Sequence, residues 1–140
     1  MKKILIKGTL AGLIMGIALF ISGAYAARFT YGPAWVPEGK FEPEQINAFY
    51  FLWTKLVIGV FFGIIFTWMY SIFYNSLKFP RVIKGIVYGI MLYIIITLWD
   101  ISHPLLYDKN FINTDRIFWS IYTFGGYLIY GLAIGLLYKK

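Results

Sequence analysis

Four long runs of apolar residues, separated by short polar segments, organise this chain. They cover about residues 4–27, 46–75, 82–101 and 117–138. Each is near or above the ~20 residues that a helix needs to cross ~30 Å of hydrocarbon at 1.5 Å per residue. The runs are apolar all round, without the two-residue alternation of a membrane barrel strand, so helices are the form that satisfies their backbone in lipid. The expected fold is an all-α membrane protein, a four-helix transmembrane bundle in a single domain, residues 1–140.

The connections are too short for a soluble domain. Pro33, Pro37 and Pro43 with Gly32 and Gly39 break the first into turns, and Pro80 and Pro104 mark the second and third. Composition agrees: 60% of the residues are hydrophobic and 14% charged, far from the roughly 25% charged of a soluble domain. The first run, with Lys2 and Lys3 ahead of it and Ala24-Tyr25-Ala26 near its end, resembles a secretory signal. Its apolar core is longer than the usual 7–15 residues, and we expect it to be retained as a span.

Charge gives an orientation. Lys2, Lys3, Lys7, Lys78, Arg81, Lys84, Lys139 and Lys140 fall on one side with no acid among them. Arg28, Lys40, Lys55, Lys109 and Arg116 fall on the other, with all six acids: Glu38, Glu42, Glu44, Asp100, Asp108 and Asp115. The positive-inside rule places the wholly basic side, and with it both termini, in the cytoplasm. The expected location is the cell (inner, cytoplasmic) membrane, as a multi-pass protein. A net charge of +7 carried in such segments faces anionic lipid, and no nucleic-acid partner is expected.

Ile6-Lys7-Gly8 through Gly12 is echoed by Ile83-Lys84-Gly85 through Gly89, a shift of 77 positions, which suggests two repeated helical hairpins. Glycines spaced by four recur in every span: Gly8, Gly12 and Gly16; Gly59 and Gly63; Gly85 and Gly89; Gly131 and Gly135. Faces without Cβ atoms let helices approach closely in lipid, where packing is a main source of association. These faces serve the bundle itself or a partner subunit.

Trp35, Trp53, Trp99 and Trp119 cluster near the outer ends as headgroup anchors. Phe61, Phe62, Phe66, Trp68, Tyr70, Phe73 and Tyr74 run through the second helix, facing lipid or neighbouring helices; a slot for a lipid, quinone or pigment is the alternative.

The candidate polar cluster is Lys55, Asp100, His103 and Arg116. Asp100 falls about one turn inside the hydrocarbon edge, where an acid should face protein and a partner; Lys55 is the first candidate and Arg116 the second. Asp100 and His103 share a helical face, but two ligands make a weak site, and one histidine excludes bis-histidine haem within one chain. With no cysteine, thiolate chemistry is also excluded. No metal, cofactor or catalytic residue is expected, and the chain is not expected to be an enzyme.

The Lys-Gly-x-x-x-Gly openings of the first and third spans, and Tyr127-Leu-Ile-Tyr-Gly-Leu-Ala-Ile-Gly-Leu-Leu-Tyr-Lys at the end, resemble small bacterial four-span integral membrane proteins of unknown function. The resemblance covers the whole chain in length and topology and implies no activity. The expected role is a non-catalytic accessory subunit of a larger membrane complex, for example a respiratory or other cofactor-bearing assembly. The rival is a small homo-oligomeric transporter or channel using the outer Asp/Lys/His cluster. Expected partners are membrane lipid and other integral membrane subunits, or further copies of the chain.

Overall fold

The computed structural model describes residues 2–31, 48–105 and 114–138, with side chains at 2–25, 50–100 and 120–138. Every element is an α-helix: α1 (Lys2–Tyr31), α2 (Ala48–Phe73), α3 (Arg81–Leu105) and α4 (Thr114–Leu137). The helices begin and end within four residues of the apolar runs that predict them. Each contains a segment long and apolar enough to cross a membrane: Lys2–Tyr25, Tyr50–Phe73, Arg81–Asp100 and Ser120–Leu137, with mean hydropathy from 1.5 to 2.2.

The α2–α3 turn has visible local causes. Ser76 and Leu77 donate their backbone N–H groups to the Phe73 carbonyl at 3.0 and 3.3 Å, which closes the end of α2. Pro80 then stands where its missing N–H costs nothing, and its carbonyl accepts the first α3 bond from Lys84 at 2.9 Å.

Neighbouring helices run antiparallel, so both ends of the described chain and the 74–80 turn gather at one end of the bundle. There Lys7 lies against Tyr138, Arg81 against Gly135 and Leu136, and Lys84 against Tyr74. α1 packs on α2 and on α4, and α3 packs on α4. Backbone contact between α2 and α3 is slight; long side chains bridge them instead.

Glycines form the two tightest seams. A Cβ on Gly12 would stand 2.3 Å from the Gly59 carbonyl oxygen, and one on Gly16 would stand 2.7 Å from that of Lys55. In the other seam a Cβ on Gly85 would stand 2.2 Å from the Gly131 oxygen, and one on Gly89 would stand 2.4 Å from that of Tyr127. Only a residue without a side chain allows backbones this close.

Between the seams lies a core of Ala11, Met15, Phe66, Tyr70, Tyr88, Leu92, Tyr127, Tyr130, Ala133 and Ile134. Thr67 is the buried polar residue among the described ones. Most other large apolar side chains point outward, which in lipid costs nothing.

Candidate functional site

Of the four residues expected to form the outer polar cluster, Lys55 and Asp100 have described side chains; those of His103 and Arg116 lie outside the described residues. Lys55 is half-buried, and its ammonium sits over the ring of Phe51, one turn away on its own helix, at 5.1 Å from the centroid. Asp100 is exposed, close enough to the Tyr127 hydroxyl to act on it electrostatically. The two are not brought together, because they stand on α2 and α3, the helices with slight backbone contact. Among the described residues no three of His, Cys, Asp and Glu gather into a group able to hold a metal.

The nine glycines are brought together fully. Gly8, Gly12 and Gly16 face Gly59 and Gly63 across α1–α2, and Gly85 and Gly89 face Gly131 and Gly135 across α3–α4. Each is occupied by a neighbouring helix of the same chain.

The aromatic residues of α2 divide by face. Phe61, Phe62, Trp68 and Phe73 are exposed, whereas Phe66 and Tyr70 are buried and Tyr74 packs at the margin of the core. Trp53 and Trp99 are exposed; Trp35 and the Trp119 side chain lie outside the described residues.

A group of hydroxyls inside the bundle is not foreseen from spacing. Tyr130 of α4 donates to the Gly63 carbonyl at 3.3 Å and receives the Thr67 hydroxyl at 3.0 Å, tying α4 to α2. Tyr88 of α3 donates to the Phe66 carbonyl at 2.8 Å, tying α3 to α2. Both acceptors are helix carbonyls offering a second lone pair. The available signal was chemical: a Tyr deep in a span, unlike Phe, must find a partner for its hydroxyl.

Nearer the basic end the tyrosines cluster, edge to face or tilted. The Tyr70 ring lies 5.0 Å from that of Tyr88, 5.6 Å from Tyr74 and 5.4 Å from Tyr138. Cations cover this cluster. Lys7 stands 4.6 Å from the Tyr138 centroid and Lys84 4.4 Å from that of Tyr74. Lys84 also bonds the Tyr74 carbonyl at 2.9 Å, and Arg81 bonds the last α4 carbonyls through Nε to Gly135 at 2.8 Å and Nη2 to Leu136. Basic side chains thus close the C-terminal ends of α2 and α4, where carbonyls lack intrahelical donors.

No protein family, curated protein or solved structure matches the chain. The functional reading therefore rests on its own chemistry.

Proposed function

We propose that this chain is a non-catalytic accessory subunit that packs against other integral membrane proteins in a larger assembly. The observation that carries the reading is the outward face of α2. Tyr50, Trp53, Phe61 and Trp68 are 69, 59, 62 and 56% exposed, while the glycine faces turn inward. Exposed aromatic side chains are the usual anchors of a protein interface, since they bring a large contact area with few torsions to freeze. This differs from the role foreseen for a spare glycine face: the docking surface here is aromatic. Gentle extraction and native mass measurement are expected to reveal a stoichiometric membrane partner, lost in Phe61→Ala/Trp68→Ala with the helical content unchanged. A lone monomer or homodimer would overturn the reading.

We further infer that the end bearing both termini faces the cytoplasm. What supports this is the run of Lys2, Lys3, Lys7, Lys78, Arg81 and Lys84 there, unaccompanied by an acidic side chain among the described residues.

The two hairpins are also read as a duplication, in a register that differs from the Ile-Lys-Gly echo. The support is the contact pattern. Gly12 and Gly85 each abut the carbonyl of a glycine, Gly59 and Gly131; Gly16 and Gly89 each abut that of the residue four before, Lys55 and Tyr127. These correspondences are shifts of 73 (85 − 12) for α1 to α3 and 72 (131 − 59) for α2 to α4, against 77 for the echo. In this register Gly12-Leu-Ile-Met-Gly-Ile-Ala-Leu-Phe-Ile aligns with Gly85-Ile-Val-Tyr-Gly-Ile-Met-Leu-Tyr-Ile. Likewise Leu56-Val-Ile-Gly-Val-Phe-Phe-Gly-Ile-Ile-Phe aligns with Leu128-Ile-Tyr-Gly-Leu-Ala-Ile-Gly-Leu-Leu-Tyr.

A further inference from the structure

We propose that the basic end of the bundle holds the phosphate of an anionic phospholipid among Lys7, Arg81 and Lys84. Lys7 of α1 and Lys84 of α3 lie over rings of the cluster formed by Tyr70, Tyr74, Tyr88 and Tyr138, and Arg81 of α3 caps the end of α4 next to it. Lys3 and Arg81 both stand close enough to Lys7 to repel its charge. Among the described side chains the acidic one is Asp100. Asp100, on the same helix as Lys84, is sixteen residues on, about 24 Å at 1.5 Å per residue. Positive charge gathered this way at a membrane surface attracts acidic headgroups, at about 1 kcal/mol per basic residue.

A second observation comes from Tyr70. Its hydroxyl is fully buried without a hydrogen-bond partner, within electrostatic reach of Arg81 and of the Tyr74 and Tyr138 hydroxyls. A buried hydroxyl without a partner points to an acceptor from outside the chain. A phosphate or ester oxygen entering between Lys7 and Lys84 supplies one. Ile72, Phe73, Phe79 and Ile83 are exposed at this same end of the bundle, so acyl chains lie around it and the occupant is a lipid rather than a free anion.

The test titrates the whole chain, in uncharged detergent, with phosphatidylglycerol or phosphatidylcholine and reads bound lipid by native mass measurement. Phosphatidylglycerol is expected to be retained at least tenfold better. Lys7→Gln and Lys84→Gln each lower that preference about fivefold, as does Tyr70→Phe. Lys84→Arg, which keeps the charge, retains it. The pair Lys2→Gln/Lys78→Gln, removing charge from the same end but outside the cluster, changes it less than twofold. Equal retention of the two lipids, equal losses in cluster and control variants, or displacement of the lipid by inorganic phosphate would each overturn the proposal. Lys7→Gln, on α1 and over the Tyr138 ring, keeps the test decisive if Lys84→Gln unfolds.

Discussion

Placing one methyl group in the α3–α4 seam should destabilise the bundle far more than placing it at Gly125, six residues before Gly131 on α4. In Gly85→Ala the new Cβ would lie 2.2 Å from the Gly131 oxygen and 2.6 Å from the Gly135 Cα, whereas ordinary contact begins at 3.4 Å. The shortfall is 3.4 − 2.2, about 1.2 Å, and both obstacles are backbone atoms with no rotamer to escape into. α4 must therefore move outward by roughly 1 Å, and because a helix moves as a unit, the Gly89–Tyr127 and Arg81–Gly135 contacts loosen with it. A gap of 0.5–1 Å already forfeits about a quarter to a half of each dispersion contact. Overpacking of this kind costs about 1–3 kcal/mol, against a gain of up to about 1 kcal/mol from replacing a helical glycine by alanine. Gly125→Ala meets nothing within 4 Å and takes only the gain. The gain is common to both, so the two variants should differ by the overpacking cost, about 1–3 kcal/mol, in reversible unfolding by dodecyl sulfate in mixed micelles, followed by circular dichroism. Gly126→Ala, whose obstacle is the end of the Leu19 side chain at 2.3 Å, should fall between them. If Gly85→Ala and Gly125→Ala agree within about 0.5 kcal/mol, backbone contact through glycine does not hold this seam.

Other consequences can be checked independently. A double-mutant cycle of Thr67→Val and Tyr130→Phe should give a coupling of about 0.6 kcal/mol, and not above about 1.7; zero coupling would remove the 3.0 Å hydrogen bond from the account. Arg81→Gln should speed hydrogen exchange at the Tyr138 amide, which makes the last α4 backbone bond at 2.8 Å to Ile134, while the Tyr127 amide keeps its protection. Uniform acceleration along α4 would contradict a capping role. Because the chain has no cysteine, Lys78→Cys and Asp108→Cys can be labelled singly with an impermeant thiol reagent. The first should react from the cytoplasmic side and the second from the outside, and labelling of both from one side would refute the topology.

Most of the architecture was legible in the sequence because lipid imposes one dominant rule, that a spanning segment be apolar and long. The ends of α1 to α4 follow from that rule, from Pro80 and from the charged flanks. Glycine spacing announced close approach but not the partner: Gly8 can face any helix with a matching groove, and the pairing with Gly63 and Ile64 becomes visible only in three dimensions. The expected Lys55–Asp100 pairing assumed that helices at similar height are neighbours. α2 and α3 are neighbours, but tyrosine side chains hold their backbones apart, and Lys55 takes the nearer Phe51 ring. The tyrosine core escaped because the sequence sets Tyr70 and Phe73 in one aromatic run of α2 without showing which of them faces another helix. What separates them is whether a hydroxyl can reach a carbonyl or another occupant, and that depends on neighbouring helices.

On the proposed duplication, this unequal packing has a definite chemical origin. The α1–α4 contact is closed by Leu19, which enters the space left by Gly126. Shifted by 73 and 72, the same two positions are Leu92 in α3 and Thr54 in α2. Thr54 is β-branched, and its hydroxyl donates to the Tyr50 carbonyl at 2.8 Å, so it offers no such space. Met15 likewise corresponds to Tyr88, whose longer side chain reaches the Phe66 carbonyl. Two hairpins built on one glycine design thus meet closely along one seam and at tyrosine length along the other. The wider seam carries the Tyr70 hydroxyl, with the cations at its basic end. α2, held to the rest by α1 and by tyrosine hydroxyls, keeps Trp53, Phe61 and Trp68 on its outer side. Replacement of Thr54 by glycine should then let α3 approach α2. If the lipid site depends on the wider seam, Thr54→Gly should also weaken phosphatidylglycerol retention without altering any charged residue.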